Sequence, residues 1–248
     1  MLHMRRTNDP GKIRLVLAVS RCAGPGAEVR IQRIPYETTD RNATVASALR
    51  EINAAGNYTD LDGNPVSEIT WEHSCLQQKC GACAMVIAGS PRLACSAFLR
   101  DYVKKGTLTI EPLKKFPLIR DLLVDRTILF DNLKTMSLWA EADHAPGPKR
   151  QEDVYDAARC LQCGCCLEVC PNVDLLSPFK GAAGFVPAAR LLSTVSGSDR
   201  KRVRESYLKH SYAGCGKSLA CSAVCPAEID ITRLLLHTNG AVFRRNGG

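Results

Sequence analysis

At 248 residues, 45% of them apolar and 23% charged, the chain has the make-up of an ordinary soluble globular protein, long enough for one large domain or two small ones. That composition excludes disorder and collagen, and no apolar run reaches the ~18 residues of a membrane-spanning helix. Lys and Arg outnumber Asp and Glu by 33 to 25, a net charge of +8, and the N-terminal MLHMRRTNDPGK has arginines but no apolar core, so the chain is expected to stay on the side of the membrane where it is made.

The first third reads as β structure with one helix. Ile13–Val19 and Val29–Ile34 are strand-like runs separated by the turn-prone Ala23-Gly24-Pro25-Gly26. Thr44 suits the cap of a helix whose Val45, Ala48, Leu49 and Ile52 recur at helical spacing, and Gly56 ends it. Asp62-Gly63-Asn64-Pro65 marks a turn. Short strands are expected at Ala84–Ala88 and Thr107–Glu111, bracketing a cysteine loop.

From Pro117 the period changes. Ile119, Leu122, Leu123, Phe130 and Leu133 predict one helix stripe with Pro117 near its first turn, and Ala145-Pro146-Gly147-Pro148 reads as a connector. Beyond it, helices are expected at Asp153–Arg159, Ala188–Thr194, Arg202–Lys209 and Ile231–His237. The fold class is α+β, with a β-rich front and a helical back.

The most informative count is 13 cysteines, an odd number gathered into tight clusters. In a long chain without a secretory signal that pattern favours thiolate metal ligation over disulfides. The first cluster, Cys75-x4-Cys80-x2-Cys83 with Cys95 further on, has the plant-type [2Fe–2S] spacing. Gly81 and Ala82 let the backbone approach the sulfurs, and Cys95 is expected to arrive from a separate strand. A structural zinc site usually pairs two C-x2-C units, and only one is present here. His73 raises a Rieske-type variant, but four cysteines already stand at suitable spacing.

The second cluster, Cys160-x2-Cys163-x2-Cys166-x3-Cys170-Pro171, is the bacterial ferredoxin run, whose fourth cysteine reaches the other centre. The third, Cys215-x5-Cys221-x3-Cys225-Pro226, fits the same template with Ser218 in place of one cysteine. Under the crossover rule Cys160, Cys163, Cys166 and Cys225 hold a [4Fe–4S] cluster. Cys170, Cys215 and Cys221 are one thiolate short, which suits [3Fe–4S], with a Ser218 alkoxide as the alternative. Pro171 and Pro226 break the local helix where the chain turns between the two centres. Cys165 is out of register and is expected to pack beside a cluster; Cys22 is either a buried free thiol or an incidental surface residue.

Three centres in this order, with Ser218 at the missing ligand and the segment Phe116–Asp125 (FPLIRDLLVD) between them, resemble the iron–sulfur subunit of succinate dehydrogenase and fumarate reductase. The likeness spans nearly the whole chain after residue 12. It implies an N-terminal tail at 1–12, a plant-type ferredoxin-like β-grasp domain at 13–118 and a helical bacterial-ferredoxin-like two-cluster domain at 119–248. It further implies an electron relay, with no catalytic residues of its own, between the FAD of a flavoprotein subunit and a quinone near the [3Fe–4S] cluster. The partners implied are that flavoprotein and membrane anchor subunits of the cytochrome b type, with the chain peripheral on the cytoplasmic face of the cell membrane. Many ubiquinone-linked members carry tryptophans after the crossover Cys-Pro and a His after the next cysteine. Here Asn172-Val173-Asp174-Leu175 follow Pro171, and Gly216 follows Cys215, so the resemblance points to menaquinone and to work as a fumarate reductase.

Two other readings compete. One keeps the clusters but serves a different flavoprotein. The other is a basic zinc protein that binds nucleic acid; the cations, however, are scattered in pairs such as Lys104-Lys105 and Lys201-Arg202, and aromatic residues are only 6%. Zinc is d¹⁰ and its thiolate sites are colourless, whereas iron–sulfide centres absorb visible light. The purified protein is predicted to be brown, and a colourless protein with stoichiometric zinc would reverse the metal assignment.

Overall fold

The computed structural model describes residues 11–141, 150–174 and 176–243. Most of the 1–12 tail and all of the Ala145–Pro148 connector therefore lie outside the described residues. The front half is built on β1 (Ile13–Arg21), an apolar run that takes an interior position in a five-stranded sheet. It pairs antiparallel with β2 (Arg30–Thr38) and parallel with β5 (Thr107–Glu111), placing Leu17 beside both Ile34 and Leu108. Next to β5 run β3 (Ala84–Ile87) and β4 (Ser90–Leu93), giving the order β2-β1-β5-β3-β4.

Helix α1 (Val45–Ala55) lays Val45, Ala48, Leu49 and Ile52 onto this sheet, sharing a core with Leu17, Ile34, Leu108 and Ile110. Its ends form as the sequence predicts. The Thr44 hydroxyl accepts from the Ser47 N–H at 3.2 Å, the Ser47 hydroxyl accepts from the Thr44 N–H at 2.8 Å, and Gly56 closes the helix in the left-handed region at φ 63°. One helix packed on a mixed five-stranded sheet is the β-grasp arrangement expected for this half.

The stretch after Pro117 departs from expectation. Instead of one helix from Pro117, Leu118–Arg120 (β6) and Leu123–Val124 (β7) pair as a small hairpin, and a helix forms only at Thr127–Thr135 (α2). Two members of the expected stripe, Ile119 and Phe130, face solvent. The physical cause is Asp121 at the hairpin turn, held at φ 47°, where a helix cannot continue. Its carboxylate accepts from Arg21 Nε at 3.0 Å, from the Cys22 N–H at 3.1 Å and from the Thr70 N–H at 2.9 Å, all buried or nearly so. Arg21 also reaches Gln32 and the carbonyls of Ser67 and Glu68, so no guanidinium edge is left dry and unpaired.

The back half is helical: α3 (Gln151–Ala158), α4 (Cys165–Val169), α5 (Gly181–Leu192), α6 (Gly197–Tyr207), α7 (Ala220–Ala223) and α8 (Ile231–Phe243). Phe185, Leu192, Val203, Tyr207, Ile231 and Leu234 share a second core. The turns α4 and α7 are too short to show as periodicity. Helix α5 starts well before the expected Ala188 and runs through Pro187, which ordinarily deprives the carbonyl four residues earlier of its donor. Here that carbonyl, Ala183, accepts from the side chain of Gln162 at 3.1 Å.

Burial would raise the Asp121 pKa, but the Thr70 N–H, the Arg21 guanidinium and the Cys22 N–H outweigh it and hold the carboxyl below the ordinary 3.8. The stability this contributes is present above that value and is lost as pH falls below it. Asp121→Asn leaves Arg21 buried opposite a neutral group and is expected to cost ~3–5 kcal/mol. Urea unfolding followed at the front domain should show that loss, and the variant should also lose this part of the acid sensitivity.

Candidate iron–sulfur sites

Cys75, Cys80 and Cys83 lie on the loop that leads into β3, and Cys95 lies on a tight turn, Ala94–Ser96, that follows β4. The strands expected to bracket the loop, β3 and β5, enclose only Cys95; the other three cysteines precede β3, and the unexpected β4 completes the hairpin. The Ala84↔Leu93 register of β3 and β4 sets Cys83 and Cys95 at the same end of that hairpin, and the fourth cysteine is carried on a turn, not on a strand. The loop curls through left-handed Leu76 and Gln78, which turns backbone N–H groups inward. Gln77 and Lys79 donate to Cys75 Sγ at 3.3 and 3.4 Å, Gln78 to Cys95 Sγ at 3.3 Å and Ala82 to Cys80 Sγ at 3.4 Å. The N–H groups of Gln77 and Lys79 draw the Cys75 thiol down to about 7, whereas burial pushes Cys83 up to about 12. His73 stacks on Trp71 with 4.4 Å between rings, a packing role in place of the ligand role weighed for it.

The other seven predicted ligands separate into two neighbouring cavities. Cys160, Cys163, Cys166 and Cys225 line one, together with Ala183, Val186 and Ile229. Cys170, Cys215 and Cys221 line the other, with Ser218 at its exposed side. Burial raises the thiols of Cys160, Cys166 and Cys221, so thiolates in such surroundings need a neighbouring cation to stabilise them, as a bound iron cluster would provide. Among the described residues no three His, Cys, Asp or Glu side chains converge on a single-ion site. The thiols surround spaces instead, the arrangement a polynuclear cluster needs. The donor-rich loop and the thiol-lined cavities both fit the groups that the spacing predicts.

A model of the 2Fe-2S iron-sulfur cluster binding domain matches residues 16–131, and one of the 4Fe-4S dicluster domain matches residues 156–229. The succinate dehydrogenase iron-sulfur subunit of Bacillus subtilis is 37% identical over 83% of this chain and 83% of its own. The chain belongs to the succinate dehydrogenase/fumarate reductase iron–sulfur subunit family. The fumarate reductase iron-sulfur subunit of Wolinella succinogenes is 30% identical over 66% of this chain and 73% of its own. A chain of the Mycobacterium smegmatis Sdh1 complex in the apo form shares the fold, with a TM-score of 0.71 at 22% identity over 93% of this chain and 96% of that one.

For an iron–sulfur subunit the decisive region is where the two domains touch. Gly81, at φ 76°, lies against the second cysteine run so closely that a Cβ on it would stand 2.8 Å from the Cys163 Cβ and 3.0 Å from the Leu161 carbonyl. The sequence reading explained Gly81 by access of backbone to sulfur; the tertiary structure gives a further reason, the approach of one cysteine loop to the other. Arg126, just before α2, fastens the junction: it donates to the carbonyls of Gly81 at 2.9 Å, Ala82 at 2.8 Å and Cys163 at 3.4 Å, and pairs with Glu72. Gln78 spans the same junction, its Nε2 reaching the Pro226 carbonyl at 2.9 Å. Neither Arg126 nor Gln78 carries a motif signal, and sequence reasoning missed both.

The remaining cysteines and departures also have locations. Cys22 is buried, 3.1 Å from the Gly24 carbonyl, which resolves it as a free thiol of the fold. Cys165 is fully buried; its thiol bonds to Cys163, which lowers the pKa of Cys163 to about 7 and raises its own. Asn172 and Gly216, the two departures near the third site, occupy one another's space: a Cβ on Gly216 would meet Asn172 Nδ2 at 2.8 Å, and Asn172 donates to the Gly214 carbonyl at 2.8 Å.

Gly81→Ala adds a side chain in the left-handed region, costing ~1–2 kcal/mol before any clash, and pushes Cys163 outward. Iron and acid-labile sulfide per chain are expected to fall below wild type. Full incorporation with unchanged spectra would show that the loops can separate without loss.

Proposed function

We propose that the chain relays electrons between the FAD of a flavoprotein subunit and a quinone bound near a membrane anchor. In this reading Cys75, Cys80, Cys83 and Cys95 hold [2Fe–2S]; Cys160, Cys163, Cys166 and Cys225 hold [4Fe–4S]; and Cys170, Cys215 and Cys221 hold [3Fe–4S]. When bound, these clusters supply one-electron carriers between two couples that each exchange two electrons. The single observation that carries the reading is the division of the seven rear thiols into a cavity with four and a cavity with three, with Ser218 at the missing position.

The protein's own residues supply position, polarity and dryness. Backbone N–H groups of Gln77, Lys79, Gln78 and Ala82 stabilise thiolate charge at the first site. Aliphatic side chains of α5 and of the turn before α8 exclude water from the second. Lys115 ties the front domain to the third by donating to the carbonyls of Cys170 and Val173, while Glu168 accepts from the Lys114 and Lys115 N–H groups at 3.0 and 3.1 Å.

The third cavity opens beside exposed Lys217, Ser218 and Leu219. That opening suits the quinone and the anchor. The Asn172–Gly216 pair supports a quinone pocket different from the tryptophan- and histidine-lined one, hence menaquinone and fumarate reduction. Among the described residues no helix is long and apolar enough to cross a membrane, in keeping with a peripheral subunit that reaches the bilayer through anchor subunits on its cytoplasmic face.

Electron paramagnetic resonance of native membranes tests the whole relay. Succinate is expected to abolish a [3Fe–4S] signal and to bring up a [2Fe–2S] signal before dithionite is added. A spectrum that responds to dithionite alone would place a different flavoprotein at the end of the wire.

A further inference from the structure

Gln162 occupies the second spacer position of Cys160-x2-Cys163 and adopts φ 48°, a conformation that a residue with a Cβ rarely takes without compensation. The conformation folds its side chain back onto its neighbour. Nε2 stands 3.3 Å from Cys160 Sγ and 3.1 Å from the Ala183 carbonyl oxygen. Both partners are acceptors, so only the NH₂ end of the amide can face them; turning the amide over would set its oxygen against sulfur and carbonyl. The Oε1 atom is buried and has no partner, so one unmet acceptor is tolerated to keep the two donors in place.

The second of those contacts exists because of Pro187. A proline at that position leaves the Ala183 carbonyl without the N–H that an unbroken helix would supply. The amide of Gln162 fills the gap and is thereby anchored, one hydrogen on α5 and the other on the cysteine sulfur.

We propose that Gln162 is a positioning residue that raises the reduction potential of the [4Fe–4S] centre by donating its side-chain amide to Cys160. The inference rests on the reading that Cys160 ligates that centre. Reduction adds an electron to a cluster already carrying thiolate charge, and a hydrogen bond to a ligand sulfur stabilises the more negative state. The donor acts in a dry setting, lined by Ala183, Val186 and Ile229, where a dipole counts for more than in water. Cys160 and Gln162 also line an open cleft of about 650 Å³ on their other side. A small replacement would let water through, so the informative substitution keeps the bulk and removes only the N–H.

The experiment uses the assembled membrane complex. In Gln162→Met, a potentiometric titration followed by electron paramagnetic resonance is expected to move the [4Fe–4S] midpoint to a more negative value and leave the [2Fe–2S] midpoint in place. A cluster-replete variant with an unmoved midpoint overturns the proposal. The wild-type complex gives a second readout that needs no substitution. With ¹⁵N placed in glutamine side-chain amides, pulsed resonance on the reduced [4Fe–4S] centre is expected to show a ¹⁵N coupling absent from unlabelled protein. No such coupling also overturns it. A wild-type complex with no [4Fe–4S] signal at all would instead remove the ligand assignment beneath it, so the two failures are distinct.

Discussion

The contact between Gly81 and Cys163 governs the rest of the structure. Electron transfer between separate centres falls off steeply with distance, so two cysteine loops from two domains must be brought together and kept together. A glycine in the left-handed region makes the approach sterically feasible. Arg126 then satisfies three carbonyls that the close packing would otherwise leave dry, and its charge favours the thiolate form of Cys163. The buried Arg21–Asp121 pair serves the same end from further away. It fixes the β6–β7 hairpin against β1, and that hairpin delivers Arg126 to the junction.

The charge arithmetic takes on meaning in this setting. A net charge of +8 is counted with every cysteine neutral, and up to eleven predicted ligand cysteines become anionic when iron is bound. Two positive groups act locally: Arg126 at the junction of the first two sites and Lys115 on the Cys170 carbonyl. Neutral donors do the finer work. Backbone N–H groups dominate at the exposed first loop, where left-handed residues turn them inward. In the helical half the backbone N–H groups of Gln162, Cys165 and Ser222 also reach cysteine sulfurs, and a side-chain amide, Gln162, and a thiol, Cys165, are added to them.

Much of the fold was legible because local rules governed it. The β1 apolar run, the Thr44 cap, the Gly56 stop and the β5 strand follow from side-chain pattern and capping chemistry, and they form as expected. In two elements a distant partner overrode a local rule. The stripe from Ile119 to Leu133 has helical spacing, yet Asp121 is held left-handed by groups from β1 and from Thr70, and the helix waits until Thr127. Pro187 should start or break a helix, yet α5 runs through it because Gln162 supplies the missing donor. Cys95 was placed on a strand and sits on a turn, since a four-residue β4 ends just before it.

The sequence by itself determined the chemistry. Cysteine spacing specifies a [2Fe–2S] domain followed by a [4Fe–4S] dicluster domain, because ligand geometry is written in short local intervals that survive any packing. It also determined the family, since those intervals recur along the whole chain. What only the tertiary structure decided is how the sites are joined and tuned: that Gly81 meets Cys163, that Arg126 and Gln78 span two domains, that Asn172 fills the space beside Gly216, and that Gln162 faces Cys160. These are contacts between residues far apart in the chain or dependent on a neighbouring helix. No local pattern encodes them, because each depends on where packing has already placed the other partner.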